Sequence, residues 1–419
     1  MRIQVVLLLL CACLGLQAQS FTSLNMGQWV NGKFIYGERD TDGYKVFDFE
    51  EGLVYHQSLP YAPLPKGQPY PRETNRITFV DGEARLPKLS DGRIGQANVF
   101  FTDGNAYTTV WGGEPRALEL LSYIDGEWIS SAVLDTRAQG VILPLRNDNY
   151  LVGLRGGHQI DGNKPDPNPF GIYRKNSKGA LELLSMIDLN FTFDKVNLSQ
   201  VSVDLAQTTR HFAITDSHYT YINADIGIMW TFSKSNGRLV RTKTLYPRVV
   251  DGWTRWTVPV VIWAQPTYDD HILISAWSDK LCIEGAEIMR KRSEYMRNAR
   301  LNLGSKPSEE QKIMEEMEKT EAKFLDSLVA IDPIVRWYRY NPADGQLVRE
   351  HLSPIGGNPF IQSREDYLEF RHWLINGDGT EMYYVDHNLV MSRPKTKNKI
   401  TEVAKQFSIG NLTNKEKKN

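Results

Sequence analysis

Short apolar runs, rich in β-branched and aromatic residues, recur along this chain in pairs joined by a polar turn. The pairs span 25–40, 98–113, 140–157, 201–218, 260–279 and 369–387, and the second run of each ends on or near Asp or Gly. Runs of this length bounded by turn residues predict strands, and two of them flanking a tight polar turn predict a hairpin. A second unit follows most of the hairpins, at 43–60, 170–188, 226–247 and 334–354, with 117–135 as its equivalent in the second repeat. It is an alternating aromatic strand, a turn carrying Gly, and another alternating strand. The Gly supplies the positive φ that such a turn needs. Self-similarity at this period marks a radially repeated β architecture, in which no unit buries its faces alone.

Two hairpins per repeat give four strands, and six repeats give an all-β fold: a six-bladed β-propeller of four-stranded antiparallel blades over residues 19–400. One stretch breaks the pattern. Within 281–332, between the second and third strands of the fifth repeat, Ile288, Met296, Ala299 and Leu303 fall on one face of a helix, and Ile313, Met317, Phe324 and Leu328 on one face of another. Pro307, Ser308 and Gln311 open the second helix. Arg290, Lys291, Arg292, Arg297 and Arg300 make the first net basic, while Glu309, Glu310, Glu315, Glu316 and Glu318 make the second net acidic. The two read as a helical hairpin inserted in blade five. It serves either as a structural flap on the rim or as a lid or oligomer contact.

The turn Asn341-Pro342-Ala343-Asp344-Gly345-Gln346-Leu347 resembles the turn between third and fourth strands of TolB-like and sialidase-like propellers. Ser122-Tyr123-Ile124-Asp125-Gly126-Glu127-Trp128 is similar to the Asp-box repeats of the BNR type. The resemblance implies a six-bladed propeller over nearly all of the chain and is silent on activity.

Composition places the chain in a compartment. Arg2 followed by the apolar run Val5–Leu16 and by Ala18 reads as a signal peptide over residues 1–18, with lipid anchoring at Cys13 as an alternative. The apolar run is too short for a membrane span, so we expect a secreted or periplasmic protein of a bacterial envelope. Beyond the signal only Cys282 remains, so the fold depends on core burial without a disulfide. The 49 basic residues balance 50 acidic ones, which argues against nucleic acid as the partner. Residues 401–419 read as a polar tail.

Loop lengths choose a face. Turns from first to second and from third to fourth strand are short, as at Asn31-Gly32, Asp103-Gly104, Asn147-Asp148-Asn149, Asn236-Gly237 and Asp344-Gly345. The other set holds the long segments 60–95, 155–169, 216–225, 247–257, the helical insert and 353–366. Long loops converging on one channel mouth mark the functional side. On it we expect a ligand-binding set of Arg155, His158, Asp161, Asp216, His218, Trp253, Arg255 and Trp256. Arg155 offers a planar fork for an acidic group, and the Trp-Thr-Arg-Trp segment offers a stacking platform. His158, Asp161, Tyr219 and Asp279 are the catalytic candidates. Against these stand plainer roles: Asp161 as a turn former, the Trp pair as a plug between blades, and the strand-end Asp residues (Arg39-Asp40 and Asp386-His387 mark two such ends) as loop anchors. No metal motif and no cofactor signature is present. Calcium at Asp161, Asn163 and Asp166 is the one alternative. Cys282 reads as a small buried residue.

Two functions follow. The first is an exported scaffold that binds a glycan, a peptide or an envelope protein on the loop-rich face. The second is a carbohydrate-active enzyme, a glycoside hydrolase or polysaccharide lyase acting on acidic sugars there. Arg39, Arg155, Arg255 and Arg371 would grip the acid, with Tyr219 as nucleophile or His158 or Tyr219 as base. No complete catalytic constellation is visible, which favours the scaffold.

Overall fold

The computed structural model describes residues 28–30, 33–37, 43–48, 53–58, 62–63, 78–80, 83–86, 99–103, 105–112, 117–124, 127–155, 157–158, 168–189, 212–267, 269–301, 307–331, 335–350, 352–355, 373–375, 381–384, 400–402 and 405–411. The expected signal peptide, Cys13, Asp161, Asn31-Gly32, Arg39-Asp40, Arg371 and Asp386-His387 lie outside the described residues.

The chain is all-β apart from three helices among the described residues. The first sheet holds β1 (Gln28–Val30), β2 (Lys33–Gly37), β3 (Gly43–Asp48) and β4 (Leu53–Ser58), and a small three-stranded sheet follows from β5 (Ala62–Pro63), β6 (Thr78–Val80) and β7 (Glu83–Leu86). Four meanders come next, each a four-stranded sheet in chain order. They are β8 (Val99–Thr102), β9 (Asn105–Gly112), β10 (Ala117–Ile124) and β11 (Glu127–Asp135); β12 (Gly140–Pro144), β13 (Asn149–Leu154), β14 (Phe170–Lys175) and β15 (Leu181–Met186); β16 (Phe212–Ile214), β17 (His218–Asn223), β18 (Ile228–Ser233) and β19 (Leu239–Thr244); and β20 (Val261–Pro266), β21 (Ile272–Trp277), β22 (Val335–Tyr340) and β23 (Leu347–Glu350). Pairing within these four is antiparallel.

The last sheet is ordered differently. From β24 (Leu352–Ile355), β25 (Trp373–Ile375), β26 (Glu381–Tyr384) and β28 (Lys405–Asn411) it takes the order β24-β28-β26-β25, while β27 (Ile400–Glu402) adds a fifth strand to the edge of the first sheet beside β4. The expected tail from 401 is corrected here. Phe407 and Ile409 alternate with polar neighbours, and residues 405–411 form an interior strand.

Burial follows strand position. β12 and β13 are buried along nearly their whole length, on both faces, so they read as continuous apolar runs. The outer strands β15, β19 and β23 are half exposed. First strands meet one another: β1 lies against β8 and β20, and β16 against β20. Between the second and third meanders Phe170 packs on Phe232 and Phe212, with ring centroids 4.9 and 6.2 Å apart. Thr109 Oγ1 both donates to the Ile142 carbonyl and accepts from its N–H, at 3.2 Å each, joining the first meander to the second. The turns before β15 and β23 are capped by the preceding sheet. Val133 N–H donates to Gly179 O at 3.1 Å, and Arg241 Nε donates to the carbonyls of Pro342 and Ala343.

One hairpin sits elsewhere than its pattern predicts. The pair read across 201–218 is corrected to β16 and β17, so 216–225 is largely a buried strand and no long loop. Tyr219, Tyr221 and Ile222 are all fully buried, on both faces of β17, and that hides the alternation on which the prediction relied.

The helical hairpin lies between β21 and β22, as helices Asp279–Leu301 and Pro307–Val329. Its root joins the main core through Leu281, Cys282 and Leu328. Further out the two helices hold each other, with Met296 and Met317 buried, Tyr295 beside Phe324 and an Arg292–Glu321 ion pair. Leu301 at the far end is 78% exposed.

Candidate functional site

Antiparallel meanders put the turns β8–β9, β12–β13, β16–β17 and β20–β21 at one end, together with β18–β19 and β22–β23. The helical arm, the segment 245–260 and the residues after β13 lie at the other. The candidates divide between these two ends.

On the long-loop side, His158 is 0% exposed. Its Nε2 is 3.0 Å from the Pro169 carbonyl and its Nδ1 2.7 Å from the Tyr173 hydroxyl. A carbonyl only accepts, so Nε2 carries the proton and Tyr173 donates to Nδ1. Burial pushes the Tyr173 phenol up to about 12, which keeps it a donor. His158 is therefore a core residue pinning the strand after the 155–169 segment, and its expected acid–base role is corrected. Arg155 is exposed, and its backbone N–H donates to Gln139 O.

The short helix Pro247–Asp251 and the loop after it are exposed at Asp251, Gly252, Thr254 and Arg255. Trp253 is half-buried and packs against the core, its backbone N–H donating to Val250 O at 3.3 Å. Trp256 is half-buried too, and the Arg255 guanidinium lies 4.5 Å from its ring centroid. The loop locks itself. Thr254 N–H donates to Thr257 Oγ1, Thr257 N–H returns to Thr254 O, and Trp256 N–H donates to Thr254 Oγ1. Asp279 opens the arm between two guanidiniums, Arg336 at 3.3 Å and Arg248 at 3.7 Å. It is an anchor between the short helix, the arm and β22, with both oxygens engaged. Cys282 is fully buried, its thiol pushed up by burial, and its Sγ is 3.9 Å from Pro259 O.

Asp216, His218 and Tyr219 are at the short-turn end, on the β16–β17 turn and the start of β17, and their expected place on the loop-rich face is corrected. Tyr219 is fully buried and donates to Pro144 O at 2.6 Å, with Thr102 Oγ1 at 3.3 Å from the Tyr219 hydroxyl oxygen. Burial raises its pKa, so it is a bridge between three sheets and no nucleophile. The Asp216 N–H donates to Asp270 Oδ1 at 3.0 Å. Burial also holds the half-buried His218 below its usual pKa, opposed by Asp270 and assisted by Arg241 and Lys234.

Lys234 is the residue here that no sequence signal announces. Its side chain is 6% exposed, and Nζ donates to Thr215 O at 3.1 Å and reaches Asp103 Oδ1 at 3.4 Å. It lies 5.4 Å from the Tyr219 ring centroid. Its backbone N–H donates to Ser217 O and its carbonyl accepts from Arg146 N–H. In sequence it sits in a Ser-Lys-Ser-Asn-Gly turn, the composition of a solvated loop.

Among the described residues no group of three or more His, Cys, Asp or Glu is arranged to hold a metal ion. The oxygens proposed for calcium lie outside them. No helix among the described residues is long and apolar enough to cross a membrane.

These observations define an all-β protein of four-stranded antiparallel sheets with a helical arm. No family model matches the chain, and no curated protein does. Among solved structures it is similar to a luciferin-regenerating enzyme at 8% identity and a TM-score of 0.30, over 94% of each chain. It is similar to the Cps50 (Swd1) β-propeller domain of Myceliophteria thermophila at 10% identity and 0.33, over 91% of this chain and 86% of that one. A third is the calcium-binding protein regucalcin of Agrobacterium tumefaciens, at 9% and 0.28 over 94% and 92%. At these scores the fold is carried by the sheets of this chain itself.

Proposed function

We propose that the chain is an exported six-bladed β-propeller, its meanders the blades and the arm an insertion in the fifth, and that it binds an acidic glycan on the loop-rich face. The carrying observation is the Arg255–Trp256 pair, an exposed guanidinium stacked 4.5 Å from an indole on a self-locked loop. An indole takes the apolar face of a sugar ring and a guanidinium takes a carboxylate, so the pair suits a uronate. Binding is favoured over catalysis because His158 and Tyr219 are buried and bonded within the protein, and Asp279 is held between two arginines.

The test is calorimetric titration of the secreted protein with a galacturonate oligomer and with a neutral galactose oligomer. We expect binding of the acidic oligomer alone, weakened about tenfold or more, roughly 1.4 kcal/mol, by Arg255→Ala and by Trp256→Ala. Equal binding of both oligomers, or of neither, rejects the reading. Cleavage of the oligomer would give preference to the enzyme. Sequencing the secreted protein's first residues tests export, with Gln19 expected at the start.

A further inference from the structure

The arm and the Arg255–Trp256 loop meet at a glycine. Gly285 lies in the second turn of the first arm helix, where an added Cβ would stand 2.7 Å from Val258 Cγ2 and 2.9 Å from Leu328 Cδ2. Both distances are closer than real carbon contacts. A glycine inside a helix is unfavourable relative to alanine, so this position spends helix propensity on close approach. Three elements touch there: the first arm helix, the end of the second through Leu328, and the loop through Val258.

The contact is reinforced on both sides. Val258 N–H donates to the Cys282 carbonyl in the first turn of the arm at 3.2 Å. That turn is capped by Ser278, whose Oγ accepts from Leu281 N–H at 3.1 Å. Asp279 ties the same turn to Arg248 on the short helix that precedes the loop and to Arg336 on β22. The loop is therefore held at both ends by the arm root, and its own hydrogen bonds leave it little freedom between them. A hinged lid would need a slack junction at this point, and one where an added Cβ would stand 2.7 Å from Val258 Cγ2 is not slack.

We infer that the arm is a fixed wall of the ligand site, and that Gly285 is a positioning residue that sets the height of the Arg255–Trp256 pair by admitting Val258 against the helix. The ligand part of this rests on the proposed function; the positional part does not.

Two readouts separate them. The first is the indole N–H resonance of Trp256 in the full chain without ligand, assigned by its loss in Trp256→Phe. The second is affinity for the galacturonate oligomer. Gly285→Ala should shift the resonance and weaken binding at least fivefold. Adding Val258→Ala, which removes the nearer of the two methyl groups the new Cβ meets and leaves Leu328 Cδ2, should return both toward wild type. Should Gly285→Ala alone not fold, the comparison becomes Val258→Ala against Gly285→Ala/Val258→Ala, and the double variant is expected nearer to wild type. An unmoved resonance in Gly285→Ala, or a double variant no nearer to wild type, overturns the inference. Shifts in the resonance with no oligomer binding in any variant would reject the glycan and leave the wall in place.

Discussion

Lys234 and Asp103 are 131 positions apart in the chain and 3.4 Å apart in space, on turns of two different sheets. The ammonium is nearly all buried while the carboxylate is 65% exposed on its side chain. Around them Thr102, Tyr219 and Pro144 bond three sheets together, and Asp216 with Asp270 adds a fourth. The short-turn end is thus stitched by polar groups, and the variable loops are left to the other end.

Burial lowers the Lys234 pKa more than Asp103 and its neighbours raise it. The folded protein therefore holds the proton less tightly than the unfolded chain does. This unfavourable contribution is complete below the folded pKa and disappears as pH rises through it to the ordinary lysine value. Lys234→Met is expected to leave stability unchanged or raise it, by up to about 2 kcal/mol at neutral pH, with the gain shrinking toward pH 10. Urea unfolding midpoints across pH check this. A loss of several kcal/mol would show that the pair is worth more than its burial.

His158→Leu should destabilise the fold by about 1–3 kcal/mol, because it leaves the buried Tyr173 hydroxyl without its acceptor, while the Pro169 carbonyl keeps the Leu154 N–H. Oligomer affinity should be unchanged below the unfolding transition. Normal stability with abolished binding would return His158 to the ligand site.

Two glycines of positive φ separate strain from packing. At Gly179 (φ +82) an added Cβ meets nothing within 4 Å, whereas at Gly237 (φ +71) it stands 2.6 Å from Leu145 Cδ1. Gly179→Ala is expected to cost about 1 kcal/mol and Gly237→Ala about 2–3 kcal/mol. Equal losses in thermal melts would contradict the close approach of the two sheets at Leu145.

Acid should act on the arm. The Arg290 hydrogen bonds hold the Glu287 carboxyl at about 2, with Lys291 assisting. A depressed carboxylate stabilises above its unfolded pKa and loses that contribution as pH falls through the folded value. Helical circular dichroism should thus decline between about pH 4 and pH 2, with added salt weakening the effect. Glu287→Gln should flatten this part of the titration; an unchanged profile would remove Glu287 from the account.

What the sequence made legible follows from locality. β12 and β13 are unbroken apolar runs around Asn147 and Asp148, both of positive φ, and that signal sits within a dozen residues. Trp253, Arg255 and Trp256 stand together in the chain, so their grouping was legible, whereas the stacking of Arg255 on Trp256 was not. The Phe212–Ile214 strand was misplaced because β17 is buried on both faces and carries no period of two. Lys234 was beyond reach for another reason: its burial depends on turns that only the assembled sheets bring to it. Trp253 and Trp256, alike in sequence, are told apart only by which one meets Val250 and the core.

The placement of β27 beside β4 bears on the order of folding. Residues 400–402 complete the edge of a sheet begun at residue 28, through the pairs Ile400–Tyr55, Thr401–Val54 and Glu402–Leu53. Three residues later the chain enters the interior of the last sheet as β28. A growing chain must therefore carry an unfinished first sheet until residue 402 has been made. Contacts of such long sequence separation form late and slowly, so assembly should end, rather than begin, with the joining of β27 to β4.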